Sequence, residues 1–126
     1  MRKLLTIVAS LFAVTAFAGE YPDVSVAELK KAIEEKKVTV IDVNGAKAYE
    51  KGHIPGAINF AEKKADLASA LPADKDALIV AYCGGPTCSA YKSAADAAEK
   101  LGYKNVKHLS AGISGWKAAG EKTEAK

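Results

Sequence analysis

The chain of 126 residues predicts an α/β domain: an open, mostly parallel sheet flanked by helices on both faces. Three observations carry that expectation. Short apolar runs rich in β-branched residues alternate with segments of helical periodicity. The runs Val38-Thr39-Val40-Ile41-Asp42-Val43 and Ala77-Leu78-Ile79-Val80-Ala81-Tyr82-Cys83 are nearly continuous in apolar character, as in strands covered on both faces. No internal repeat or linker divides the chain, and its length suits one core.

Arg2 and Lys3 form a basic start, Leu4 to Phe17 an apolar stretch, and Ala16-Phe17-Ala18 fits the small-x-small cleavage rule. The pattern predicts a signal peptide over 1–18, cut after Ala18, and one mature domain over 19–126. The apolar stretch is shorter than the roughly 20 residues that span a bilayer. No cysteine follows the cut to carry a lipid, so no membrane anchor is expected after cleavage. An uncleaved leader would instead tether the N-terminus. The expected location is periplasmic or secreted, where a disulfide persists.

The elements follow in order. Tyr21-Pro22-Asp23 is an extended lead-in. Ser25 with Glu28 is a capping box, and Val26, Leu29 and Ile33 follow at helical spacing. Val38 to Val43 is a strand ended by Asn44-Gly45, and its apolar character predicts a central place in the sheet. Ala46 to Lys51 is a short helix stopped by Gly52, His53-Ile54-Pro55-Gly56 is a loop, and Ala57-Ile58-Asn59 is a short strand. Glu62 to Leu71 reads as a helix ended by Pro72. Ala77 to Cys83 is the next strand. From Cys88 onward, Tyr91, Ala94, Ala95, Ala98 and Leu101 mark one helical face, and Gly102 supplies the stop. Asn105 to Leu109 is a last strand, Gly112 to Gly120 a turn and helix, and Glu121 to Lys126 a polar, frayed tail.

Charge excludes some functions. Without Arg2 and Lys3, the 18 cationic residues fall to 16 lysines against 15 Asp and Glu, a net charge near +1. No basic stripe remains, which argues against a nucleic-acid partner. Arg2 is the only arginine in the chain. A bidentate side-chain clamp for phosphate, sulfate or thiosulfate is therefore not expected in the mature domain.

The only two cysteines, Cys83 and Cys88, bracket the loop Gly84-Gly85-Pro86-Thr87. A thiol between a strand end and a helix start is favoured as thiolate by unpaired N–H groups and the helix dipole. Ligands of an open α/β sheet bind outside the carboxyl ends of its strands, where Cys83 falls. Reactivity explains the two thiols better than stapling, because a domain of this size folds without a staple.

Four blocks in order resemble the single-domain rhodanese, or sulfurtransferase, family: Val40-Ile41-Asp42-Val43; Gly52-His53-Ile54-Pro55-Gly56-Ala57-Ile58-Asn59; the strand, loop and helix around Cys83; and Gly112-Ile113-Ser114-Gly115-Trp116. The resemblance implies that Cys83 is a nucleophile carrying a persulfide between a small sulfur donor and a thiol or cyanide-type acceptor, with no cofactor. Gly84 and Gly85 let the loop curl its N–H groups toward the sulfur, and Pro86, Thr87 and Ser89 complete the active-site loop. Many relatives have Cys-x-x-Gly-x-Arg here; this chain has Pro86 in place of the Gly and Cys88 in place of the Arg, and Asn44 where many have Arg. These departures disfavour thiosulfate and favour a polysulfide, a persulfide or a partner protein as donor. The related phosphatase and arsenate-reductase loop is one residue longer and requires its Arg.

Cys88 has two readings: a small residue filling the first helical turn, or a resolving thiol that attacks the Cys83 persulfide and leaves a disulfide. A thiol–disulfide redox protein with a redox partner protein is the rival function, and a non-catalytic sulfur-binding module a further one. Asp42 is expected to anchor neighbouring loops by hydrogen bonds, His53 to order its loop rather than transfer protons, and Trp116 to pack on the sheet. No metal is expected: His53 and His108 lack the paired spacing that zinc would need with Cys83 and Cys88.

Overall fold

The computed structural model describes residues 21–125; the expected signal peptide and its cleavage site lie outside them. The elements are α1 (Val26–Glu34), β1 (Val38–Asp42), α2 (Ala46–Lys51), β2 (Ile58–Asn59), α3 (Phe60–Lys63), a 3-10 helix (Lys64–Ala70), β3 (Leu78–Tyr82), α4 (Tyr91–Lys100), β4 (Asn105–His108) and α5 (Gly112–Ala118). The four strands form one parallel sheet in the order β2-β1-β3-β4, so β1 and β3 are central as expected.

Side chains alternate across each strand, and the sheet therefore carries two cores. Ile41, Ile79 and Ala81 face one side, where Ala94, Ala95 and Ala98 of α4 pack with Leu67 and Leu71. The small alanines let α4 lie close to the sheet. Val40, Val80 and Tyr82 face the other side, against Leu29 of α1 and Trp116 of α5. Leu29 is wholly buried, worth about 2 kcal/mol. Helices on both faces are thus the observed arrangement.

The helix starts and stops follow local chemistry. Ser25 caps α1, accepting from Glu28 N at 3.0 Å while Glu28 Oε1 accepts from Ser25 N at 2.8 Å. Gly102, at φ 101°, ends α4 and allows Tyr103 N to reach Ala98 O at 3.2 Å. The lead-in covers the edge of β4: Val24 N donates to His108 O and His108 N to Pro22 O, both at 2.9 Å.

Three expectations need correction. The helix expected over Glu62 to Leu71 is instead α3, begun earlier under the Asn59 cap, and a 3-10 stretch broken at Asp66 (φ −145°, ψ 53°). There Ser69 Oγ donates to Asp66 O at 3.0 Å, drawing that carbonyl away from α-helical pairing. α4 starts at Tyr91, so Cys88 lies in the loop before it and not in a helix. Lys92 N and Ser93 N close back on Ser89 O and Ala90 O at 3.1 Å, which sets the start there.

The third correction is the tail. Glu124 and His53 exchange both backbone bonds, at 2.8 and 2.9 Å. Glu124 Oε1 accepts from Gly56 N at 3.1 Å, and Lys122 O accepts from the indole N–H of Trp116 at 2.7 Å. Polar composition suggested fraying, but these backbone groups find fixed partners. Truncation after Gly120 is expected to cost about 2–3 kcal/mol, because these four bonds and the one from Glu121 N to Trp116 O are lost at roughly 1 kcal/mol each and water replaces part of them. Urea denaturation followed by Trp116 fluorescence checks this; an unchanged midpoint would show the tail to be idle.

Candidate active site

Strand order reverses between β1 and β3: the chain leaves β1 toward β2 on one side and β3 toward β4 on the other. A crevice opens at the carboxyl ends of such a pair. Asp42 and Tyr82 are register partners there, and Val43 N still donates to Tyr82 O at 2.9 Å before the two chains diverge. Cys83 is the next residue after β3.

The start of α5, remote in sequence, holds the loop that begins at Cys83. Ile113 N donates to Cys83 O at 2.9 Å and Ser114 N to Gly84 O at 3.0 Å, so the first amides of α5 are spent on loop carbonyls. Gly112 lies so close that a Cβ there would stand 2.5 Å from the carbonyl carbon of Gly84 and 2.6 Å from Gly85 N. A turn follows, with Cys88 N donating to Gly85 O at 3.1 Å. Among the described residues the N–H groups of Gly84, Gly85, Thr87 and Ser89 have no protein acceptor, and Pro86 has none to offer. Unpaired N–H groups of this kind can hold an anion. The loop carries no cationic side chain.

Cys83 and Cys88 are joined in a disulfide with Cα atoms 6.3 Å apart. Cys83 is 1% exposed and belongs to the core on the α4 side, and Cys88, half-buried, packs against that core. Pro86, Thr87 and Ser89 are exposed. The structure thus pairs the thiols, and Cys88 packs from outside any helical turn.

Asp42 is fully buried. Its Oδ2 accepts from the Tyr82 hydroxyl at 2.5 Å and its Oδ1 from Asn44 N at 2.7 Å. The same hydroxyl accepts from Ile54 N at 3.0 Å. One carboxylate therefore ties together the ends of β1 and β3 and the loop before β2. Burial pushes the Asp42 carboxyl above the usual range, and the bonds from Tyr82 and Asn44 offset part of that rise. Burial also raises the Tyr82 phenol, with the carboxylate beside it adding to the effect.

His53 makes its contacts with Tyr49 and the tail. Its ring stacks on Tyr49 at 3.7 Å, its Nδ1 lies 2.8 Å from Tyr49 O, and its Nε2 lies 3.5 Å from Glu124. His108 is on edge strand β4 and stacks on Tyr91 at 3.4 Å; burial, the largest cause, lowers its pKa. Among the described residues no group of three or more His, Cys, Asp or Glu is placed to hold a metal ion. Sequence reasoning missed the contributions of Gly112, Tyr82 and Glu124. Tyr82 had a signal, because a tyrosine in a strand covered on both faces needs a partner for its hydroxyl.

A model of the Rhodanese-like domain matches residues 25–119. An HTH-type transcriptional regulator of Mycobacterium tuberculosis is 41% identical over 95 residues, 75% of this chain, and the chain spans only 41% of that protein. The thiosulfate sulfurtransferase GlpE of Shewanella oneidensis is 28% identical over 102 residues, covering 80% of this chain and 97% of that protein. Among solved structures, the rhodanese-like domain of the Anabaena Alr3790 protein is 30% identical, with a TM-score of 0.67 over 83% of this chain and 80% of that one.

Proposed function

The chain belongs to the rhodanese-like family, and on that premise we propose that it is an exported sulfurtransferase that carries sulfane sulfur on Cys83. The observation that carries the reading is the position of Cys83, at the carboxyl end of a central strand beside the β1/β3 crevice. The Cys83 thiolate attacks the outer sulfur of a donor R–S–SH, the donor's S–S bond breaks, and RS⁻ leaves as Cys83–S–SH forms. The persulfide ionises, and an acceptor thiolate or cyanide then attacks its outer sulfur and returns Cys83 to the thiolate. The free N–H groups of Gly84, Gly85, Thr87 and Ser89 stabilise the anion at both stages. The absence of a cationic side chain in the loop favours persulfide or polysulfide donors over doubly charged thiosulfate. The leader-like N-terminus supports export to the periplasm or beyond.

Incubation of the reduced protein with a polysulfide is expected to generate sulfur transfer that Cys83→Ser lowers below about 1% of wild type, because no other residue replaces the nucleophile. Full activity in that variant would refute the proposal. The disulfide favours a second reading, a thiol–disulfide redox protein that uses Cys83 and Cys88 as its pair. In that case a Cys88→Ser variant would lose turnover with dithiol substrates while no sulfur adduct ever formed on Cys83.

A further inference from the structure

We propose that Cys88 discharges the Cys83 persulfide internally, so that the domain reduces sulfane sulfur to hydrosulfide and is reset by a dithiol. The inference rests on the persulfide reading above and adds a reductive activity and a class of partner to it.

The observation is the bond between the two cysteines in a loop that is fixed elsewhere. Cys83 O and Gly84 O are held by Ile113 N and Ser114 N, and Gly112 closes the space behind them. The Cys83 end therefore has little room to move. Cys88 lies after an exposed turn, outside α4, with a Cα separation of 6.3 Å that allows the sulfurs to meet. A thiol within bonding reach of Cys83 Sγ is within reach of the inner sulfur of a Cys83 persulfide, since the two are the same atom.

The step balances as follows. The Cys88 thiolate attacks Cys83 Sγ, the bond between the inner and outer sulfur breaks, and the outer sulfur leaves with the electron pair as HS⁻. The two cysteines end as a disulfide: they supply the two electrons that take sulfane sulfur to sulfide. Resetting needs two electrons from an external dithiol. Cys83 is 1% exposed while Cys88 is half-buried beside exposed Thr87 and Ser89, so the incoming thiolate attacks Cys88. The mixed disulfide then forms on Cys88 and Cys83 leaves as the thiolate, ready for the next donor. The second thiol of the partner attacks its own sulfur in that mixed disulfide, closes the partner's disulfide, and frees Cys88.

The test uses the reduced protein and glutathione persulfide, with excess donor removed by rapid desalting and no thiol added. The wild type is expected to release about one equivalent of hydrosulfide per chain and to lose about 2 Da as the disulfide forms. Cys88→Ser is expected to release none and to retain about 32 Da on Cys83. A wild type that holds the 32 Da adduct as stably as Cys88→Ser, with Cys88 still open to alkylation, would overturn the inference and leave the persulfide reading intact. A Cys88→Ser protein that never gains the adduct would overturn both. With glutathione persulfide kept in excess, adding dithiothreitol is expected to make wild-type hydrosulfide release catalytic, above the rate without protein; a single turnover under those conditions would refute the resetting step.

Discussion

Replacing Gly112 with Ala is expected to cost roughly 3 kcal/mol and to lower sulfur transfer more than about tenfold. Two effects add. Gly112 has φ 64°, a left-handed conformation that L side chains adopt only with strain, and its Cβ would stand 2.5–2.6 Å from the backbone of Gly84 and Gly85. Neither neighbour is the tip of a flexible side chain, so relief comes only by shifting the Cys83 loop or α5. Either shift strains the bonds from Ile113 N and Ser114 N to Cys83 O and Gly84 O. Gly120 provides the control: it also has positive φ (82°), but nothing lies within 4 Å of its would-be Cβ. Ala at Gly120 is expected to cost only about 1 kcal/mol and to leave transfer unchanged. Equal losses at the two positions, measured by urea denaturation with parallel assays, would mean that the contact with the loop contributes nothing.

Replacing Tyr82 with Phe is expected to cost about 3 kcal/mol at neutral pH, and less near pH 4. The variant strips Asp42 Oδ2 of its donor and Ile54 N of its acceptor, both buried. The pH dependence follows from the direction of the Asp42 shift. Its folded pKa is already raised, so its contribution to stability is greatest at low pH and falls as pH rises through that value. The Tyr82 hydroxyl favours the carboxylate; without it the pKa of Asp42 rises further. At neutral pH the variant therefore bears either a poorly solvated charge or the cost of taking up a proton, whereas in acid the carboxyl is protonated in both proteins. Denaturation at the two pH values checks the sign. A loss larger in acid than at neutral pH would contradict this account of the network.

Local periodicity carried much of the fold. The β-branched run from Val38 and the apolar run from Ala77 became the two central parallel strands, and the capping box at Ser25 opened α1. The alanine face of α4 was legible for the same reason: spacing along one helix requires no knowledge of what covers it. Its start was not legible, because Cys88 to Ala90 fit the helical pattern while the disulfide and the closing turn hold them outside it. The 3-10 break at Asp66 and the anchored tail depend on a serine hydroxyl and on partners in other segments, which a hydropathy pattern does not encode.

By itself the sequence determined an α/β sheet, a cysteine at the carboxyl end of a buried strand, a loop without arginine, and a second cysteine whose role stayed open. Each is a property of residue type and spacing along one segment. Tertiary structure alone decided that Cys88 meets Cys83, that Gly112 presses on the loop between them, and that one carboxylate joins three segments through Tyr82. Those contacts are set by how distant segments pack, to tenths of an ångström, and no local pattern carries that distance.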